Sequence, residues 1–129
     1  MNRVSAYART RILAVLVLPI LLAMSMPASA QRVIRIVTLT ATSAEAQQKG
    51  LDAVGTDVRK LYKAAKGCES VTFFADPTAL ATGSVSVWSS RQDLDAFVKS
   101  PAYTAILDRL KPFMKGRPET KIYKVNEPK

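Results

Sequence analysis

Along residues 32–125 the spacing of apolar side chains switches from a period near two to one near 3.6 and back, and then does so again. A half-buried strand presents every second residue to a core and a helix every third or fourth, so this alternation sets the order of elements. Residues 32–40 (RVIRIVTLT) are rich in β-branched side chains and contain no Gly or Pro. They predict a strand covered on both faces and central in its sheet. Thr42-Ser43-Ala44-Glu45 has the spacing of a capping box. In the helix that follows, Leu51, Val54, Val58, Leu61 and Tyr62 form one apolar stripe, and Gly67 is its expected C-cap.

Residues 69–75 and 84–89 predict two further strands, joined as a hairpin through Asp76-Pro77 and Thr82-Gly83. Ser90 with Asp93 starts a short helix whose apolar residues are Leu94, Phe97 and Val98. Ser100-Pro101 interrupts it and opens another, with Ala102, Tyr103, Ile106, Leu107 and Leu110 on one face and Pro112 at its end. Residues 120–125 make a last strand. The order β-α-β-β-α-β, with the second helix split in two, is the ferredoxin-like α+β arrangement. Its helices cover one face of the sheet, yet Val85 and Val87 point to one face and Trp88 to the other. A second copy of the chain is the expected cover, giving a homodimer.

The chain has no His and a single Cys, Cys68. Ser-His-Asp triads, His-ligated haem, His-rich zinc centres and intrachain disulfides are therefore excluded. Cys68 is read as a small buried hydrophobe, with a thiol open to oxidation or intermolecular pairing as the other reading. The five glycines are too dispersed for a phosphate loop, and Asp93 and Asp95 fall on different sides of one helix. No cofactor and no metal is expected.

Residues 1–11 carry Arg3, Arg9 and Arg11 and no acid, residues 12–24 are an apolar run broken by Pro19, and Ala28-Ser29-Ala30 supplies small residues. The pattern predicts a signal peptide cut after Ala30, with a periplasmic or secreted product and no stable membrane span after cleavage. Thr10 separates Arg9 from Arg11, so the general secretory route is expected. Cleavage leaves residues 31–129 as the single expected domain, and loss of the three arginines lowers the net charge from +9 to +6. The remaining Lys and Arg are scattered, and nucleic acid is not an expected partner.

Gly67-Cys68, Val87-Trp88-Ser89-Ser90, Leu94, and Phe97 through Ser100-Pro101-Ala102-Tyr103 together resemble the antibiotic biosynthesis monooxygenase (ABM) family of the dimeric α/β-barrel superfamily. The similarity runs from about Val33 to Val125. It implies a dimeric barrel and one of the superfamily's activities, among them cofactor-free oxygenation of activated phenolic rings and haem degradation. Haem degradation is not expected: the helix bears Ala105 and Ile106 where those relatives use a histidine, and the first strand bears Thr38 and Thr40 where they use an asparagine.

The resemblance makes Trp88 a pocket-lining residue. In a cofactor-free oxygenase of a small aromatic or quinol-like substrate, Trp88 would stack on the ring, Tyr103 would donate a hydrogen bond and Arg91 would hold an anionic oxygen. Thr38, Tyr62, Phe73 and Ser86 are the expected substrate-binding positions. Each also has a structural reading: Trp88 and both tyrosines sit at core spacing, and Arg91 in a first helical turn is more simply solvated. The alternative function is a non-catalytic module of the cell envelope that binds a small hydrophobic ligand or a partner protein.

Overall fold

A computed structural model describes residues 30–128, so the expected signal segment, apart from Ala30, lies outside the described residues. The elements are β1 (Val33–Thr40), α1 (Ala44–Ala64), β2 (Cys68–Asp76), β3 (Ala81–Trp88), α2 (Arg91–Val98), α3 (Pro101–Leu110), a 3-10 turn (Lys111–Phe113) and β4 (Glu119–Lys124). They form one antiparallel sheet in the order β2-β3-β1-β4 with β1 and β3 at its centre, as expected for a ferredoxin-like chain. Among the described residues no helix is long and apolar enough to cross a membrane.

Local boundaries differ where tertiary pairing competes with local signals. The N-cap of α1 is Ser43 rather than Thr42; its Oγ accepts the Ala46 N–H at 3.0 Å. The helix ends at Ala64, and Gly67 lies beyond the C-cap, Ala65. Gly67 has φ +81°, and a Cβ there would stand 2.3 Å from Asp93 Oδ2, so this position combines a left-handed backbone with a close approach. β3 begins at Ala81, three residues earlier than the local pattern predicts, because Ala81 and Thr82 pair with Thr40 and Leu39 across the sheet. Ser90 and Ser100 cap α2 and α3, accepting from Asp93 N–H at 3.1 Å and Tyr103 N–H at 3.2 Å.

The helices lie on one face of the sheet. Their core gathers Val33, Tyr62, Trp88, Leu94, Phe97 and Tyr103, with the Phe97 ring 4.7 to 4.9 Å from those of Tyr62, Trp88 and Tyr103. Burying side chains of this size stabilises by about 1.5–3 kcal/mol each, and this aromatic knot joins β1, α1, β3, α2 and α3. The other face carries Ile34, Ile36, Val85 and Val87, all partly exposed, with Phe74 and Tyr123 among the most exposed large apolar side chains.

Candidate active site

Strand alternation puts Arg35 on the helix-facing side of β1, between Val33 and Val37 and opposite Ser86. It is 3% exposed. A guanidinium stays protonated in proteins, and a buried charge is costly unless something compensates it. No ion pair among the described residues includes Arg35. Its partners are two phenols: Nη1 donates to Tyr62 Oη at 3.1 Å and Nη2 to Tyr103 Oη at 2.7 Å. The guanidinium carbon is 5.1 Å from the centre of the Tyr103 ring, and Nε has no hydrogen-bond partner.

Counting donors shows what this arrangement offers. A phenol oxygen that accepts an N–H still has its own proton to give. Tyr62 Oη lies 3.2 Å from Ser84 Oγ, a contact in which either hydroxyl can donate, so the relay Arg35–Tyr62–Ser84 leaves one hydroxyl proton to give. The other relay runs through Tyr103, whose hydroxyl has no further partner among the described residues. Both relays end in hydroxyl donors backed by a positive charge.

The residues that carry these hydroxyls border a cleft of about 110 Å³ between the sheet, α1 and α3. Val54, Val58, Phe73, Ile106, Leu107 and Leu110 give it apolar walls, and Tyr62, Ser84 and Tyr103 are among its lining residues. Gln47 also borders it; this buried amide donates to the Ala81 carbonyl at 2.8 Å and fastens α1 to the β2–β3 connection. An apolar slot with a few convergent donors suits a small ring bearing an oxygen.

Burial is the main cause that pushes the Tyr62 phenol above its ordinary value of 10.0; its bond to Ser84 and the charge of Arg35 act in the opposite direction. The folded protein therefore holds the proton more tightly than the unfolded chain. The corresponding stabilisation is complete below pH 10 and is lost as pH rises through the folded-state value. Melting followed by circular dichroism is expected to show no Tyr62-linked loss of stability between pH 7 and 9 and a fall above about pH 10. Phenolate absorbance should show one tyrosine ionising late, and that late step should disappear in Tyr62→Phe.

The family model for antibiotic biosynthesis monooxygenases matches residues 32–109, a span that runs from β1 almost to the end of α3. The chain belongs to the ABM family. Solved structures share the fold at low sequence identity. A protein of Caulobacter crescentus CB15 described under the same family name superposes with a TM-score of 0.67 at 14% identity, covering 77% of this chain and 93% of that one. SnoaB, a cofactor-independent oxygenase from Streptomyces nogalater, gives 0.62 at 13% identity over 77% and 97%. The ActVA-Orf6 monooxygenase of Streptomyces coelicolor, solved with the ligand Nanaomycin D, gives 0.62 at 19% identity over 76% and 90%. No curated protein matches the sequence.

Within this ABM domain the residues singled out from sequence part company. Tyr62, Phe73 and Tyr103 line the cleft. Trp88 does not: it is fully buried, and its indole N–H donates to Ser86 Oγ at 2.9 Å. Ser86 is likewise inaccessible and donates to the Arg35 carbonyl at 3.4 Å. Arg91 is on the surface, with Nε 2.8 Å from Asp95 Oδ1, one helical turn away. It is far better placed to pair with that carboxylate than to hold an anion in the cleft. Thr38 pairs with Gly83 and shares its strand face with Ile34 and Ile36, away from the helices.

Arg35 and Ser84 were not singled out, although the sequence carried a signal for the first. Arg35 interrupts a β-branched run expected to be covered on both faces, and it has the same strand parity as Val33 and Val37. A charge in such a position must be buried on one side or the other. Ser84 gave no comparable signal, since its partner Tyr62 is distant in sequence.

Proposed function

We propose that this ABM domain is an exported, cofactor-independent monooxygenase that works as a homodimer on a small aromatic, quinol-like molecule. The observation that carries the reading is the buried, acid-free Arg35 held behind two phenols at an apolar cleft. Positioned donors of this kind stabilise negative charge as it develops on a substrate oxygen, and Arg35 acts through Tyr62 and Tyr103 as a positioning residue. The relatives named above, a cofactor-independent oxygenase and a monooxygenase, support the same class of chemistry.

The chemistry balances without a further reductant. The substrate gives its O–H proton to solvent, and the resulting anion, whose charge is shared between its oxygen and a ring C–H carbon, accepts at that oxygen from Tyr103 and Ser84. It passes one electron to O2, and the radical pair joins as a C–O–O⁻ peroxide, which takes up a proton. Loss of water from the H–C–OOH carbon leaves C=O. One oxygen atom enters the product and the other leaves as water, the four electrons accepted by O2 coming from the ring as it becomes a quinone. Export follows from the N-terminal pattern. The homodimer would cover the face bearing Ile34, Ile36, Val85 and Val87, and sedimentation at twice the monomer mass is its check.

Oxygen uptake by the purified protein on a panel of phenols and quinols tests the reading. Uptake is expected with at least one member, and Tyr103→Phe should lower kcat/KM by about 10²-fold, the scale for removing one oxyanion donor. The largely aliphatic wall of the cleft favours a second reading, a non-catalytic module that binds a small hydrophobic ligand. Ring binding without oxygen uptake across the panel would select it.

A further inference from the structure

We propose that the cleft takes its ligand as a preformed anion, an acidic enol or hydroxyquinone already ionised at neutral pH, rather than as a neutral phenol that the protein must deprotonate. This rests on the reading of the cleft as a ring-binding site but not on any oxygen chemistry there.

Two independent features point the same way. The first is the lack of a proton acceptor. Among the lining residues there is no carboxylate, and the chain has no histidine. The charged or titratable groups around the cleft are Arg35 behind it from β1, Arg59 and Tyr62 from α1, and Tyr103 from α3; β2 and β3 bring none to its wall. A guanidinium does not act as a base, and both phenol oxygens already accept N–H groups of Arg35, which leaves them protons to give. The second feature is charge. Arg35 lacks an acidic partner, and Arg59 stands at the cleft with its guanidinium 5.0 Å from the Phe73 ring and no ion pair among the described residues. An incoming anion would find two uncompensated cations and two donor hydroxyls. A neutral phenol would bring a further donor to a site already supplied with them.

The ring would lie against the aliphatic wall with its O⁻ toward Tyr103 and Ser84. Arg59 would close the outer end as a specificity-determining residue. Its cation–π contact with Phe73 holds the side chain at the opening.

Titration calorimetry on the full chain with 2-hydroxy-1,4-naphthoquinone and its 2-methoxy ether separates the alternatives, because the two share a ring system and only the first ionises. The hydroxy compound is expected to bind at least tenfold tighter at pH 7.5. The advantage should vanish as the buffer is acidified through the ligand's own pKa. Tyr103→Phe should reduce it about tenfold, and Arg35→Met should remove it. Arg59→Gln, a surface change that keeps the fold, should weaken anion binding about threefold and flatten its salt dependence. Equal or tighter binding of the ether, a preference untouched by Tyr103→Phe and Arg59→Gln, or failure of both compounds to bind at millimolar concentration would each overturn the proposal. Oxygen uptake recorded on the same samples answers a separate question. A bound anion with no uptake counts against the monooxygenase and leaves the ligand class standing.

Discussion

Arg35→Met is expected to leave the protein folded, with a thermal midpoint equal to or above that of the native chain, while lowering turnover by about 10²–10³-fold. The opposite signs follow from one fact: the guanidinium is buried against neutral phenols and no carboxylate shares the site. Replacing buried ionic groups by apolar ones of similar volume is often neutral or stabilising by about 1–4 kcal/mol, since the desolvation cost disappears with the charge. In this protein the change also leaves two phenol oxygens without their donor, which offsets part of that gain; Tyr62 keeps its contact with Ser84. The relays to the cleft lose their charge altogether. Denaturant melts and oxygen uptake on one preparation check both halves, and a variant that unfolds would show that Arg35 is structural rather than functional.

The largest loss of stability is expected at Trp88, and it separates core from chemistry in the opposite direction. Trp88→Ala removes an inaccessible indole packed 4.9 Å from Phe97 and 6.2 Å from Tyr62, centre to centre. Large-to-small changes of this kind cost about 3–5 kcal/mol, a large share of the roughly 5–15 kcal/mol that holds a domain together. Most of the chain should be unfolded at 37 °C. Trp88→Phe keeps a ring in place and loses the bond to Ser86, a cost of about 1–2 kcal/mol, and turnover should stay within about twofold of native. Folded Trp88→Phe protein without oxygen uptake would return the indole to the reacting centre and contradict its place outside the lining of the cleft.

The element order was legible because each element announces itself over a few neighbouring residues. Leu51, Val54, Val58, Leu61 and Tyr62 mark one helical face, Ser90 and Ser100 cap the helices they precede, and Pro101 and Pro112 bracket α3. Differences were confined to element boundaries, where a neighbouring residue or a cross-strand partner competes with the local signal. Ser43 displaced its neighbour Thr42 as the cap, and β3 lengthened because β1 offered Ala81 and Thr82 partners. Arg91, for which the sequence offered both an anion-holding and a solvated reading, lies at the surface, where one turn of helix brings Asp95 within reach.

What the sequence determined by itself is the fold, since periodicity, caps and prolines act over distances of a turn or a strand and admit one economical winding. Tertiary structure alone decided the site. Arg35 meets Tyr62 across 27 residues and Tyr103 across 68, and no local pattern encodes which side chains close such gaps. Packing also chose between the two readings of each aromatic residue, sealing Trp88 into the knot around Phe97 and leaving Tyr103 at the cleft. Both are buried apolar positions by spacing, and both rings pack 4.9 Å from Phe97; they differ in that Tyr103 also borders the cleft and Trp88 does not.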